Sequence, residues 1–328
     1  MMWRHVMLAV SNVDYVPTHI IDRVGRIARG LHAEVELFSS IYEPDIVQPG
    51  RHDEPVDAII AARVEDAHRR LERQADMLRE QSVTTRAAVR WDYPLYEAVV
   101  RQVLRHEVDL LIVPARGTGD IGRRTLHYRE ARLIETCPCP LLLLKTPEVY
   151  EKGCVVAAVD PLHAYELPEE LDEAIITAAK IASHALAHEP IHLYHADLVV
   201  QGITGRANAG VGVESERQRA HRARVHARVQ DLAERHNIRP ENIRFESGAV
   251  ENTLPEFARA ARADVIVMGA LSRTYTKRRV LGHKAEQVLD AVGCDVLVVK
   301  PQGFQCPVER EHAPAVPFPG LERKSLRV

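Results

Sequence analysis

The sequence predicts an α/β fold made of two tandem, Rossmann-like, doubly wound units, each carrying a five-stranded parallel sheet. Three observations lead there. Short apolar, β-branched runs alternate along the whole chain with amphipathic segments of helical spacing, the pattern of strands buried on both faces and joined by crossover helices. The order of these segments occurs twice, and over the last third of each half the two copies align without a gap: Asp109 with Asp264, Cys139 with Cys294, Lys145 with Lys300. The length of 328 residues then suits two α/β domains of about 150 residues each.

In the first half, 6–10 (VMLAV) is a short apolar strand, and 17–31 places Ile20, Ile21, Val24, Ile27, Ala28 and Leu31 on one helical face. The second strand is 34–41. A turn-rich loop with Pro44, Pro49, Gly50 and Pro55 leads into a long, charge-laced helix over 56–81. Strand 84–91, helix 96–105, strand 109–113, helix 126–136 and strand 140–145 complete the unit. The second half repeats the order: strand 155–159, helix 168–187, strand 191–196, long helix 213–236, strand 242–246 and helix 253–261. A final strand–loop–helix–strand passage follows, with Val265-Ile266-Val267-Met268 and Val296-Leu297-Val298-Val299 as its strands. Its helix carries Ala285, Val288, Leu289 and Val292 at helical spacing, so the passage is one right-handed crossover of a parallel sheet.

Composition narrows the function classes. With 46% hydrophobic and 27% charged residues the chain has the make-up of a globular domain that packs a core. Its 43 basic against 46 acidic residues leave a net charge of −3, so no bulk positive field favours nucleic acid or a membrane surface. Apolar runs such as Leu141–Leu144 are far too short to span a bilayer, and MMWRHVMLAV enters a strand directly with no expected cleavage site. Five cysteines, an odd number, fit a reducing cytoplasm better than a disulfide framework.

The informative loop joins the last two strands. Gly269 follows the strand directly and Gly282 precedes the helix, where backbone can approach a ligand and free helix N–H groups can meet an anion. Both glycines serve equally well a turn and a helix cap. The run Gly269, Ala270-Leu271, Ser272, nine residues from Arg273 to Leu281, then Gly282 and His283 is similar to the ligand loop of the universal stress protein family. That loop reads Gly, two residues, Gly, nine residues, Gly, then Ser or Thr. The spacing is kept, while Ser272 stands at the second glycine and His283 at the hydroxyl residue. Both departures touch chemistry: a non-glycine resists positive φ, and an imidazole replaces a hydroxyl donor.

The resemblance implies tandem universal stress domains with strand order 3-2-1-4-5, and a crevice at the carboxyl ends of the strands. It implies ATP or AMP as the ligand, wrapped by this loop. An Asp at the end of the first strand meets adenine in that family; Asp160 holds the place in the second half and Ser11 in the first. The ligand-binding residues expected in the second half are therefore Asp160, Gly269, Ser272, Gly282, His283 and Lys284. The cations Arg273, Lys277, Arg278 and Arg279 lie on the same loop, for phosphates or simply for solvent. In the first half Pro114 replaces the first glycine, His127-Tyr128 replace Gly-Ser, and only Gly117 remains, so no nucleotide site of the family type is expected there. The expected layout is domain 1 over 1–148, domain 2 over 149–306, and an extended tail over 307–328 rich in proline. The closing strands 140–145 and 295–299 are expected to pair, making the chain a pseudo-dimer; a homodimer is compatible with this.

Other patterns carry less. Cys137-Pro138-Cys139-Pro140 is too short for CxxC, and Cys139 and Cys294 read as core packing. His184 and His188 share a helix face without further ligands for a metal. The stretch RQRAHRARVHAR reads as a solvated helix face, for want of a basic balance and aromatic platforms. No G-x-S-x-G and no Walker lysine loop occur, and nothing offers itself as a general base for water. A slow ATPase is the most enzyme activity expected. The functional readings left open are a non-catalytic stress-response protein binding a small ligand in domain 2, a scaffold with vestigial sites, and a binder of a lipid-like ligand.

Overall fold

The computed structural model describes residues 3–48, 55–115, 128–146, 150, 153–162, 168–187, 190–197, 216–273 and 279–311. The first half runs β1 (His5–Ala9), α1 (Thr18–Leu31), β2 (Glu34–Ile41), α2 (Val56–Arg79), β3 (Thr85–Trp91), α3 (Leu95–His106), β4 (Leu110–Pro114), α4 (Tyr128–Thr136) and β5 (Leu141–Leu144). The second runs β6 (Cys154–Ala158), α5 (Pro168–Leu186), β7 (Ile191–Asp197), α6 (Glu216–Arg235), β8 (Ile243–Ser247), α7 (Val250–Ala260) and β9 (Ala263–Gly269). It ends with β10 (Leu271–Arg273), β11 (Arg279–Leu281), α8 (His283–Ala291) and β12 (Asp295–Val299).

The two expected five-stranded sheets are present as halves of one ten-stranded sheet, ordered β3-β2-β1-β4-β5-β12-β9-β6-β7-β8. Within each half neighbouring strands are parallel in the expected 3-2-1-4-5 order. At the seam β5 and β12 run antiparallel, with Leu142 opposite Leu297. Side chains alternate across the sheet as the two-residue period of a strand requires. Val6 and Leu8 face a core built with α1, α2, α5 and α6, whereas Met7 and Ala9 face one built with α3, α4, α7 and α8.

Residues repeated in sequence do repeated work. Asp109 accepts the Arg4 and His5 peptide N–H groups at the start of β1, at 2.8 and 3.0 Å. Asp264 accepts the Gly153 N–H at 3.1 Å at the start of β6. The lysine pair is reciprocal across the seam. Lys145 Nζ donates to Leu289 O and, at 2.7 Å, to Val292 O at the carboxyl end of α8; Lys300 Nζ donates to Ile134 O near the end of α4. Each buried ammonium therefore meets the negative end of a helix in the opposite half.

Helices α1 and α5 also cross the seam. A Cβ at Gly30 would lie 2.0 Å from the Ala185 carbonyl oxygen, which is backbone and cannot swing aside. Gly30→Ala is accordingly expected to push the two helices apart and cost about 1–3 kcal/mol, read as a lower thermal midpoint by circular dichroism. After β12 the described chain crosses to the first half: Cys306 donates to Thr136 O and Arg310 to Arg105 O, both at 3.2 Å. The expected extended tail is thus docked as far as Glu311, and its remainder lies outside the described residues.

Candidate functional site

Strand order sets the site. β6 and β9 are parallel neighbours, and from them the chain departs in opposite directions, to β7 and to β12. Their carboxyl ends therefore flank the switch point at which open α/β sheets bind ligands. Asp160, just past β6, is exposed on one side, and Gly269 closes β9 on the other, paired with Val299.

Gly269 has a packing reason to lack a side chain. A Cβ there would lie 2.8 Å from Leu171 Cδ2, so α5 leans its leucine onto the strand end. The segment after it begins and ends in strand. β10 and β11 form an antiparallel ribbon, with Leu271 opposite Leu281, Ser272 opposite Val280 and Arg273 opposite Arg279. The Gly282 N–H closes it on Ala270 O at 2.9 Å. Ser272 is extended strand, which removes the need for glycine at that position. Gly282 caps α8 with φ −72° and ψ 138°, open to any residue, and no side chain caps the helix. His283 and Lys284 occupy the first two positions of α8, both exposed. Lys277 and Arg278 lie outside the described residues.

The first half contributes to this ribbon. Glu135 of α4 accepts the Leu281 N–H at 3.2 Å and is itself held by Arg132 at 2.6 Å. The first half's own counterpart is described only at its two ends. Pro114 ends β4, and Tyr128, at the hydroxyl position, is 73% exposed with Tyr96 edge-on to it. Gly117 and His127 lie outside the described residues.

Several polar residues near the carboxyl ends of β6 and β7 escaped the sequence reading. The Asp160 N–H donates to Asp172 Oδ1 at 3.1 Å, although Asp172 is buried. Burial is the largest cause pushing that carboxyl up to about 7; the Asp160 N–H opposes the rise, and the Asp160 and Glu173 carboxylates add to it. His195 Nδ1 lies 2.9 Å from Val159 O. Asp197 links His195, 3.6 Å away, with His226, 2.7 Å away, and the His226 ring stacks on Phe245 at 3.8 Å. The strand period places His195 and Asp197 on one face. His226 sits in the stretch read as solvated, and only its partner reveals it. Among the described residues no group of three or more His, Cys, Asp or Glu could hold a metal ion. Nor, among them, is any helix long and apolar enough to cross a membrane.

The model of the universal stress protein family matches residues 2–145 and again 162–300, most of both halves. The chain belongs to the universal stress protein family. Universal stress protein E of Escherichia coli K12 is 24% identical to it over 291 residues, 87% of this chain and 89% of that one. Universal stress protein E of Photorhabdus laumondii is 26% identical over 246 residues, 73% of this chain and 76% of that one. Among solved structures, protein PA1789 of Pseudomonas aeruginosa PAO1 superposes with a TM-score of 0.69 at 20% identity, covering 91% of this chain and 93% of that one. A universal stress protein of Archaeoglobus fulgidus superposes with a TM-score of 0.62 at 14% identity over 90% of this chain. These structures share the tandem universal stress fold.

Proposed function

We propose that the protein is a non-catalytic, cytoplasmic stress-response protein whose second half holds a small ligand, of the adenine-nucleotide class, between β6 and β9. The single observation carrying this is the juxtaposition of Asp160 and Gly269 at the ends of adjacent strands that part at the switch point. The α8 N-terminus, with Gly282, His283 and Lys284 and no side-chain cap, supplies peptide N–H groups suited to a phosphate. Asp160 suits the amine edge of a base. ATP and AMP are the ligands to try, and Ser272 is assigned to the loop's approach rather than to a positive-φ turn. The first half and second half act as a pseudo-dimer within one chain, divided in the connector between β5 and β6, and no catalytic step is assigned.

A second reading has its own support. Leu171 against Gly269, and the ribbon pairing 271–273 with 279–281, suit a closed scaffold equally well. Isothermal titration of ligand-stripped protein with ATP and AMP separates the two. Binding that weakens about tenfold or more in Asp160→Ala, a loss of about 1.4 kcal/mol, supports the ligand site. No heat at millimolar nucleotide leaves the scaffold.

A further inference from the structure

The turn after β6 is held by a carboxyl that lies in the core. Asp172, in the first turns of α5, is 2% exposed and takes the Asp160 N–H at 3.1 Å through Oδ1. Its other oxygen, Oδ2, is buried and has no hydrogen-bond partner among the described residues. The same peptide unit is gripped from its opposite end, where His195 Nδ1 approaches the Val159 carbonyl oxygen at 2.9 Å. One peptide plane, the one from which the Asp160 side chain springs, is therefore set by titratable side chains from α5 and β7. The neighbouring Leu171 fixes α5 against Gly269 on the facing strand end, so the clamp and the far side of the crevice belong to one packed unit.

We propose that Asp172 is the positioning residue of this crevice, gaining and losing one proton to slacken and tighten the Asp160 turn, and so making ligand retention in the second half respond to pH. Only the last step rests on the ligand reading above; the proton response of the turn needs no ligand.

The physical basis is the asymmetry of the two oxygens. An ionised carboxylate accepts a charge-assisted bond, roughly twice as strong as a neutral one. A proton added to Asp172 goes to the oxygen without a partner, Oδ2, and leaves Oδ1 a neutral, weaker acceptor for the Asp160 N–H. Burial raises this carboxyl to about 7, so the exchange falls near neutral pH. The charged groups around it, among the described residues, come from four elements. Asp160 faces it from the end of β6 and Glu173 from α5, both adding to the rise. Arg235, the last residue of α6, and His236 just beyond it engage the Glu173 carboxylate, and Lys180 lies against His236 at 3.2 Å. On β7, His195 is directed to the Val159 carbonyl and to Asp197. From β9 the contact near Asp172 is Gly269 with Leu171, which carries no charge.

The test follows the Asp160 amide by NMR in ligand-free protein, from about pH 5.5 to about pH 8.5, a range bracketing neutrality. The wild-type resonance is expected to move with one inflection near neutral pH. In Asp172→Asn the inflection disappears, and in Glu173→Gln it persists at lower pH, since a like charge has been removed. A flat wild-type profile, or an inflection unchanged in Asp172→Asn, overturns the proposal. Adenosine, an uncharged probe, is then titrated calorimetrically at both ends of the range. Wild-type affinity should fall about tenfold, or about 1.4 kcal/mol, from the alkaline to the acid end, and the Asp172→Asn affinity should stay level. Equal affinity at both ends in wild type overturns the link to retention. An amide that titrates while adenosine never binds sinks the ligand reading and upholds the proton response.

Discussion

Replacing Asp295 with alanine is expected to cost about 3–5 kcal/mol of unfolding free energy, because the change strands a buried guanidinium. Asp295 is fully buried on β12, and its carboxylate pairs with Arg23 of α1, itself buried and in the other half. The Lys145 and Thr146 peptide N–H groups donate to Oδ1 at 2.8 and 3.3 Å, and the Tyr150 hydroxyl donates to Oδ2 at 2.6 Å. Arg23 lies over the Tyr150 ring at 4.3 Å and donates to Thr146 O. One carboxylate thus ties strand β12 to the connector and to the first helix. Urea unfolding should show a lower midpoint for Asp295→Ala with the slope unchanged. Adding Arg23→Met should recover part of the loss, since an apolar pair can replace a buried ion pair of similar volume. A loss below about 1 kcal/mol, the range of an exposed pair, would mean that water reaches this site.

The second large effect is an acid limb set by Glu36. This fully buried residue on β2 is pulled from 4.5 down to about 2. Burial, the largest influence, pushes its carboxyl up, and hydrogen bonds from His5, Gln102 and Arg86 together with the Arg86 charge overcome it. Arg86 Nε lies 2.8 Å from Oε2 and His5 Nε2 3.5 Å from it. A carboxyl depressed on folding contributes stability that is present above its unfolded value and lost as pH falls through its folded value. The window is therefore from about 4.5 down to about 2. The loss amounts to about 2–3 kcal/mol, discounted because Arg86 is half exposed. Glu36→Gln should forfeit this stability at neutral pH already and show a flatter acid limb in unfolding followed against pH. His5 supplies a separate check. Burial pulls its pKa down, but the Glu36 and His106 hydrogen bonds outweigh burial and raise it. Its contribution is complete below its unfolded value and fades as pH rises through the folded one, and in Glu36→Gln its NMR titration should move to lower pH.

How much of this was legible in the sequence depends on how local each signal is. The strands and helices of both halves follow from hydrophobic period alone, and the aligned Asp109/Asp264 and Lys145/Lys300 pairs announce the repeat. Helix ends were less readable. The residues at or just beyond the ends of α1, α3 and α7 that take left-handed backbone are His32, Glu107 and Arg262, where a glycine would have signalled the stop. The ribbon of β10 and β11 was hidden because three residues per strand are too few to show alternation, and a spacing that matches a phosphate loop fits a hairpin equally well. Asp160 and Gly269 could be placed because each follows an apolar run. Asp172 could not, since it stands in a charged helix opening, Pro-Glu-Glu-Leu-Asp-Glu, and only the packing of α5 on β6 buries it. His226 was lost for the same reason: its partner Asp197 is distant in sequence.

The antiparallel meeting of β5 and β12 turns the two halves head to tail, so their strand tips point out of opposite sides of the molecule. The foot of α4 accordingly arrives beside the second half's ribbon, where Glu135 takes the Leu281 N–H and Ile134 receives Lys300. A fragment carrying residues 149–306 alone would keep Asp160, Gly269 and Gly282 yet lose that buttress, with Lys300's ammonium deprived of its carbonyl. The first half is thus a brace for the second half's ribbon and closing strand, and severing the tandem would remove the acceptors that Leu281 and Lys300 find in α4.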